Sequence, residues 1–355
     1  MYVLKFDCGG SASKHTACFS NKNILANMVE GISVVIPNYN GVHLFPLTLP
    51  TVAEALAGSG KPSEIIVVDD CSSDDSVQWL QQYYPSIIII QNKQNSGFSL
   101  TANRGMVQAR YDKVLLLNSD VQLTPGYFLH QYKYFDKPGT FGVMGRSIGW
   151  DDNETQDGAK LPGFHGAKIK TSGNYILKDE TAMEDGLYTM YLSGANAFVD
   201  KEKFLLIGKL DEIFSPFYVE DFELGLRAWR LGFTCYYDYN SVCRHKVSVS
   251  IKSKSKKKYV DTIYDRNKMI LHALHLEGLQ KRYWYCQLLL ETLIRFFSFR
   301  WHYFSSLQLF FRSGAAIKQS KDAFDKVAAI TGCRKSVHEV ADFILGSIKG
   351  EKKIL

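Results

Sequence analysis

The chain has 355 residues, enough for one large domain or two smaller ones. Hydrophobic residues at 46% and charged residues at 22% exclude a disordered chain, and the net charge of +6 is mild. The seven cysteines include no Cys-x-x-Cys pair, which argues against a disulfide framework or structural zinc and suits a reducing cytoplasm.

Residues 1–31 are polar, contain scattered Asn and Lys, and have no signal-peptide core. We interpret them as an extension that precedes the first domain.

Four short apolar runs then alternate with helical patterns. Their continuous Val, Ile and Leu content is typical of parallel strands that are buried on both faces. The predicted strands are 32–37, 64–70, 86–91 and 113–118, with helices at 45–58, 74–84 and 99–110 between them. This alternation predicts an α/β fold with right-handed crossovers.

Each predicted strand ends in a polar cluster, "PNYNG" (37–41), "DDCSSDD" (69–75), "QNSGFS" (94–99) and "NSD" (118–120). The carboxyl ends of parallel strands meet at one edge of a sheet, where α/β proteins bind ligands. The four clusters therefore predict one site at that edge.

After residue 120 the pattern is less regular. A Gly- and Asp-rich stretch predicts a long mobile loop of the kind that often forms lids. The predicted elements are this loop at 149–174, a strand at 187–199, a helix at 220–233, a strand pair at 233–246 and helices from 258 to the end.

Two C-terminal segments raise the question of a membrane. The basic run "KSKSKKK" (252–258) is either a solvated loop or a contact for phosphates or anionic lipid, and it lacks the interleaved aromatics that favour nucleic acid. Segment 289–308 is rich in Leu and Phe, but Arg295 and Arg300 would cost about 5 to 7 kcal/mol near a bilayer centre, against roughly 3 to 5 kcal/mol gained from its apolar residues. We expect it to lie in the membrane interface or to pack on the domain.

Six motifs in order, "VVIPNYNG", "VVDDCSSDDS", "NSGFSLTANRG", "LLLNSDV", "SGANAFV" and "EDFELGLRAWRLGF", resemble those of family 2 glycosyltransferases with the GT-A fold. The rhamnosyltransferase-like and galactofuranosyltransferase-like enzymes are the most similar subgroup. The resemblance implies a GT-A catalytic domain over 32–250 with a Rossmann-like, mostly parallel sheet. Residues 251–355 would then form a C-terminal helical region, for which association with a membrane and packing on the domain both stay open.

By this resemblance, the donor is a UDP-, dTDP- or GDP-linked sugar. Asp70 would accept hydrogen bonds from the base or ribose, although Asp69 and Asp70 could instead cap the helix at 74–84. The expected donor-binding residues are Pro37, Asn38, Tyr39, Asn40, Asp70, Asn95, Gly97, Asn103, Ser119 and Asp120.

Asn118-Ser119-Asp120 stands where the family commonly has a metal-binding Asp-x-Asp, with Asn118 in place of the first Asp. The resemblance makes Asp120 the main carboxylate ligand of Mg²⁺ or Mn²⁺, both of which accept oxygen ligands. His245 matches a metal-binding His of the galactofuranosyltransferase-like relatives, although a single His at a strand end is more often a structural residue.

Inverting transfer needs a carboxylate that takes the proton of the acceptor hydroxyl. The resemblance assigns this role to Asp221, with Glu220 and Glu223 as alternatives, while acids in a first helical turn could simply complement the helix dipole. Ser193, Gly194, Ala195 and Glu220 would shape the sugar and acceptor pocket. Arg227 would hold either Glu223 or phosphate.

The acceptor implied is a hydroxyl of a lipid-linked or cell-surface glycan, reached from the cytoplasmic face of an anionic membrane. A dehydrogenase is excluded because "PNYNG" replaces the Gly-rich turn after the first strand. A sugar nucleotidyltransferase would need a Gly-rich loop followed by basic residues, which 37–45 lacks. A catalytically inactive domain that serves as a membrane-docked scaffold remains the alternative.

Overall fold

The computed structural model describes residues 29–179, 181–246, 257–299 and 301–355. The predicted extension up to residue 28 and the basic run from 252 to 256 lie outside these ranges.

The alternating first half forms as predicted. Its strands carry continuous apolar runs, and its helices bury one face each against the sheet. The strands are β1 (Val29–Asn38), β2 (Ser63–Asp69), β3 (Ile88–Gln91) and β4 (Tyr111–Leu117), and the helices are α1 (Phe45–Ser59), α2 (Ser76–Tyr83) and α3 (Phe98–Gln108).

The second half adds strands to the same sheet and a set of helices. The further strands are β5 (Val121–Leu123), β6 (Thr140–Gly149), β7 (Thr155–Asp157), β8 (Lys160–His165), β9 (Lys168–Leu177), β10 (Leu187–Tyr188), β11 (Asn196–Asp200), β12 (Thr234–His245) and β13 (Lys352–Ile354). The further helices are α4 (Lys201–Leu206), α5 (Glu220–Arg230), α6 (Lys257–His275), α7 (Gly278–Phe297), α8 (Trp301–Arg312), α9 (Gly314–Thr331) and α10 (Val337–Gly346). Short 3₁₀ turns lie at Tyr132–Tyr134, Thr181–Met183 and Glu212–Phe214.

The main sheet has the order β10-β12-β6-β11-β4-β1-β2-β3. Strands β3, β2, β1 and β4 are mutually parallel, as the α/β prediction requires, and β12 is parallel to β6. Strand β11 runs antiparallel between β4 and β6. The predicted α/β fold with a mostly parallel central sheet is confirmed.

The prediction that residues 149–174 form a mobile loop is wrong. This stretch contains β7, β8 and much of β9, and β8 and β9 pair as a hairpin that also holds β13. Its apolar side chains are buried against C-terminal helices: the Phe164 ring lies 4.4 Å from that of His338, and the N–H of Ile169 donates to Nε2 of His272 at 3.0 Å. Those partners lie about a hundred residues or more along the chain, so the local sequence does not reveal them.

Three other predicted elements need correction. The strand expected at 187–199 is interrupted, because β10 ends at Tyr188 and β11 begins at Asn196. The strand pair at 233–246 is one strand, β12, with a bulge after Asp238, whose Oδ1 accepts the N–H groups of Asn240 and Ser241 at 2.9 and 2.8 Å. The chain is also not helical to its end, since β13 pairs with β9.

One hydrophobic core connects the sheet to the C-terminal helices. Buried side chains of α5, such as Leu226 and Trp229, belong to the same cluster as Ile270 of α6 and Trp284 of α7. Within the described residues, no helix combines the length and apolarity that crossing a membrane requires.

Candidate active site

The carboxyl ends of β1, β2 and β4 open into a cleft of about 450 Å³. The polar clusters that follow these strands converge there, as the sheet topology predicts. The predicted site residues that line the cleft are Pro37, Asn38, Tyr39, Asp70, Asn95, Gly97, Ser119, Asp120 and His245.

Asp70 is buried and organises one wall of the cleft. Its carboxylate accepts hydrogen bonds from Nδ2 of Asn92 at 2.6 Å and from the N–H groups of Ser96 and Gly97 at 2.8 and 3.0 Å. Asp70 therefore shapes the 92–97 loop and does not cap α2. The N-cap residue of α2 is Asp75, and Oδ1 of Asp74 accepts the N–H of Ser76, the first residue of the helix, at 3.1 Å.

Asp69 holds the turn beyond β2. Its carboxylate accepts from Nδ2 of Asn38 at 3.0 Å and from the N–H of Ser72 at 3.0 Å. This leaves the buried Oδ1 of Asn38, on the cleft wall, without a hydrogen-bond donor.

Gly97 is required where two walls of the cleft meet. Its φ of +82° favours glycine, and a Cβ at this position would lie only 2.8 Å from Cα of Pro216. The N–H of the next residue, Phe98, donates to the carbonyl of Pro216 at 2.8 Å. The loop after β3 is thus fixed against the segment that precedes α5.

Two predicted donor-binding residues do not line the cleft. Oδ1 of Asn40 accepts the N–H groups of Ser73 and Asp74 at 2.6 and 3.2 Å, which fixes the turn before α2. Asn103 is buried, donating to the carbonyl of Leu210 at 2.9 Å and accepting its N–H at 3.1 Å. Both amides bind backbone groups of neighbouring segments, and contact of Asn40 and Asn103 with the donor stays a prediction.

Asp120 and His245 lie together at the cleft. Strand β5 pairs with the end of β12 so that Val121 faces His245, which places Asp120 beside the imidazole. Nε2 of His245 lies 3.3 Å from Oδ1 of Asp120, and this buried oxygen has no hydrogen-bond partner. A buried carboxylate oxygen without a donor is costly unless a cation or ligand completes its environment.

This donor set fits a divalent cation that is shared with a ligand. Among the residues described, no group of three His, Cys, Asp or Glu side chains could hold a metal. Mg²⁺ is commonly held by one or two carboxylates together with phosphate oxygens of a substrate. Asp120 and His245 would thus supply the protein's share of such a site.

The segment at 193–195 connects this pair to the start of α5. The carbonyl of Ala195 accepts the N–H of Asn118 at 3.1 Å, and the N–H of Gly194 donates to Oδ2 of Asp221 at 3.2 Å. A Cβ on Gly194 would lie 3.4 Å from the ring of Phe98, which lines the cleft. The three predicted segments are therefore joined by direct contacts, but residues 193–195, Glu220 and Asp221 are not among the residues that line the cleft.

Asp221 occupies an unusual helix start. Tyr218 and Val219, just before α5, have φ values of +73° and +78°. The second oxygen of Asp221 accepts the N–H of Phe222 at 2.7 Å. Burial nevertheless raises the pKa of Asp221 above that of an exposed carboxyl.

The carboxylate of Glu223 is occupied by other side chains of the protein, which favours Asp221 over Glu223 as the base. Nε and Nη2 of Arg227 donate to its carboxylate at 3.0 and 2.6 Å, and Nε2 of His275 lies 3.1 Å away. Although burial alone would raise it, Arg227 and His275 hold the pKa of Glu223 at about 2. Arg227 therefore holds Glu223, which settles the choice left open by the sequence.

Glu220 is buried beside Asp221, and its Oε2 has no partner. Burial and the neighbouring Asp221 raise its pKa to about 8. A carboxyl whose pKa is higher in the folded state than in the unfolded state destabilises the fold above the unfolded pKa of about 4.5.

Glu220→Gln should therefore stabilise the protein increasingly between about pH 4.5 and pH 8. Urea unfolding of both forms at pH 5 and pH 8 measures the difference, with exposed Glu54→Gln as the matched control. An equal difference at both pH values would contradict the prediction.

Sequence reasoning missed several residues that line the cleft. Phe98, Thr101, Pro216, Phe217, Tyr218 and Tyr259 join the predicted residues. The aromatic run "FSPFY" at 214–218 could have suggested a ligand wall. Tyr259 could not, because it comes from α6, and its ring lies 6.2 Å from that of Phe217.

Comparison with known proteins gives matches to sugar transferases. The family model described as Glycosyl transferase family 2 matches residues 33–204. The undecaprenyl-phosphate 4-deoxy-4-formamido-L-arabinose transferase of Pectobacterium carotovorum subsp. carotovorum (strain PC1) is 36% identical over 101 residues, covering 27% of this chain and 31% of that protein. The poly-beta-1,6-N-acetyl-D-glucosamine synthase of Staphylococcus aureus (strain COL) is 30% identical over 122 residues, or 33% of this chain and 29% of that protein.

The matched segments thus span less than a third of either relative. Among solved structures, the crystal structure of GalNAc-T7 with UDP, GalNAc and Mn²⁺ aligns with a TM-score of 0.58. The alignment covers 90% of this chain and 56% of that one at 13% identity, so it supports a common fold only.

Proposed function

We propose that this chain, which carries a glycosyl transferase family 2 domain over residues 33–204, transfers a sugar with inversion from a nucleotide-sugar to a hydroxyl of a glycan acceptor. The observation that carries the proposal is the convergence on one sheet edge of the Asp70 loop, the Asp120–His245 pair and the helix that begins at Glu220.

The nucleoside half of the donor fits the side of the cleft formed by β1 and β2. Pro37, Asn38 and Tyr39 line this side, and the unpartnered Oδ1 of Asn38 can accept a hydrogen bond from a base or ribose. Asp70 already accepts three hydrogen bonds, so its role is to hold the loop that carries Asn95 and Gly97 against the ligand. A cleft of about 450 Å³ lies within the usual range for small-molecule sites.

The diphosphate half belongs beside Asp120 and His245. When bound there, Mg²⁺ or Mn²⁺ would neutralise charge on the departing nucleoside diphosphate. Asp120 supplies an oxygen with no competing donor, and His245 supplies a nitrogen 3.3 Å away. Ser119, between Asn118 and Asp120, faces the same space.

Asp221 is the proposed base. The Gly194 and Phe222 N–H groups fix both oxygens of its carboxylate, and its raised pKa makes it a stronger proton acceptor than an exposed aspartate. Ser193, Gly194, Ala195 and Glu220 then border the space for the transferred sugar and the acceptor.

We infer that the acceptor is a lipid-linked or cell-surface glycan intermediate. Both curated relatives carry names that fit such chemistry, one an undecaprenyl-phosphate transferase and the other a synthase of a GlcNAc polymer. An inactive scaffold is less well supported, because it would not need a buried carboxylate oxygen without a hydrogen-bond partner, such as Oδ1 of Asp120, at its cleft.

Binding of nucleotide-sugars tests the proposal. We expect one of UDP-, dTDP- or GDP-sugars, with Mn²⁺, to stabilise the protein by about 2.7 kcal/mol at 100 times its dissociation constant. A thermal-shift panel measures this, with each nucleotide-sugar also tested in EDTA. If every member leaves the melting temperature unchanged, the proposed donor class is wrong.

A further inference from the structure

The outward face of helix α7 is apolar, which is the reverse of an ordinary surface helix. The exposed positions in its second half include Leu289, Leu290, Leu293, Ile294, Phe296 and Phe297. The charged residues of the same stretch point inward: Glu291 pairs with Lys168, and Arg295 lies 3.7 Å from Asp265. The charges thus attach the helix to the protein and leave its apolar side uncovered.

Aromatic residues continue this face between α7 and α8, and we call residues 296–299 and 301 the aromatic turn. Phe297, Phe299 and Trp301 are 76%, 74% and 56% exposed. The Trp301 ring lies 6.1 Å from that of Phe296 and 6.3 Å from that of Phe299, so the exposed rings form one patch. Contiguous apolar patches of this kind mark interaction surfaces.

Cationic residues lie at the same end of the helical region. Helices α6 and α7 run antiparallel, since Lys281 of α7 contacts the carbonyl of Ala273 while Arg295 contacts Asp265. The start of α6 is therefore beside the aromatic turn. It carries Lys257 and Lys258, both exposed, about 12 Å beyond Asp265 along the helix.

The mouth of the cleft is at this end as well. Tyr259 follows the two lysines directly and lines the cleft. Tyr264, one turn further along α6, has its ring 5.8 Å from that of Tyr218, another cleft residue. The apolar face, the lysines and the cleft opening are thus neighbours.

We propose that the outer face of α7, the aromatic turn and Lys257–Lys258 dock on the surface of an anionic lipid bilayer and place the cleft mouth beside it. Leu, Phe and Trp side chains insert at the level of the headgroups, while lysines bind anionic headgroups. The lysines favour this occupant over a second copy of the chain, because two copies related by a twofold axis would bring the same cations together. The inference extends the proposed function, since a lipid-linked acceptor would reach the cleft from that surface.

Vesicle flotation of the full chain tests the docking surface. We expect binding to vesicles with 30% phosphatidylglycerol to be at least about tenfold tighter than to pure phosphatidylcholine vesicles, with a strong decrease in high salt. Phe297→Glu/Phe299→Glu should lose at least about tenfold in affinity for the anionic vesicles. Lys257→Gln/Lys258→Gln should lose roughly 30-fold, from about 1 kcal/mol per lysine.

Matched controls lie elsewhere on the surface. Leu129 is 65% exposed on the catalytic half, so Leu129→Glu adds a charge at an apolar position away from α7. Lys326→Gln/Lys349→Gln removes two exposed lysines of other C-terminal segments. Both should bind vesicles as the wild type does.

The proposal would be overturned if the wild-type protein did not bind anionic vesicles. It would also be overturned if the Phe297→Glu/Phe299→Glu variant bound them with the affinity of the wild type. A wild-type dimer in vesicle-free solution that this variant converts to monomer would also overturn it, because the face would then be an interface between copies. The nucleotide-sugar thermal shift of this variant should equal that of the wild type. Failure of docking is therefore distinguishable from failure of the proposed donor binding.

Discussion

Asp221→Asn should lower kcat for sugar transfer by about 10²- to 10⁴-fold, the range that a general base contributes. Asn is isosteric, but its one amide oxygen can accept only one of the N–H groups of Gly194 and Phe222, which Asp221 accepts at 3.2 and 2.7 Å, so urea unfolding of the variant should accompany the rate measurement. What it loses is the ability to take a proton from the acceptor hydroxyl. Nucleotide-sugar binding, measured by thermal shift, should change little.

The pH dependence distinguishes a base from a structural residue. Because burial raises the pKa of Asp221, the wild-type rate should rise with pH as this carboxyl ionises. The residual rate of Asp221→Asn should lack this acidic limb. Asp75→Asn, which changes an exposed carboxylate, should retain both the rate and the profile. Full activity of Asp221→Asn would remove Asp221 from the mechanism.

Asp120→Ala should weaken the Mn²⁺-dependent part of nucleoside diphosphate binding by more than about 100-fold, since it removes the one carboxylate of the proposed ion site. Its Oδ1 has no hydrogen-bond donor in the fold, so the substitution should not lower the free energy of unfolding of the unliganded protein by more than about 1 kcal/mol. Titration of the nucleotide with and without Mn²⁺ measures the first effect, and urea unfolding measures the second.

His245→Ala should weaken Mn²⁺-dependent binding of the nucleoside diphosphate less than Asp120→Ala does, because the carboxylate of Asp120 remains. Asp75→Ala serves as the control for a carboxylate outside the cleft. Nucleotide binding that depends on Mn²⁺ equally in wild type and Asp120→Ala would show that the ion, if bound, is held elsewhere.

The sequence was most informative where structure depends on local pattern. The continuous apolar runs predicted β1 to β4, and the polar residues after these strands predicted the cleft, because a parallel sheet brings strand ends together regardless of distant contacts. The family resemblance added the pairing of Asp120 with His245, which are separated by most of the domain in sequence.

The failures arise where a side chain's partner is distant in sequence. Nothing in the sequence indicated that Leu210 would bind both ends of the Asn103 amide. The stretch at 149–174 forms strands because His272 and His338 of later helices cover it. Tyr259 lines the cleft only because α6 folds back over the catalytic half.

Tyr259 and the buried face of α6 also make the C-terminal helices part of the same folded unit as the cleft. Ile270 and Trp284 share a core with Trp229, so cutting the chain before Lys257 would expose apolar surface and remove a wall of the cleft together. Heat should accordingly melt the two halves in a single cooperative transition. Removal of α7 would take Trp284 and Leu288 out of that core as well.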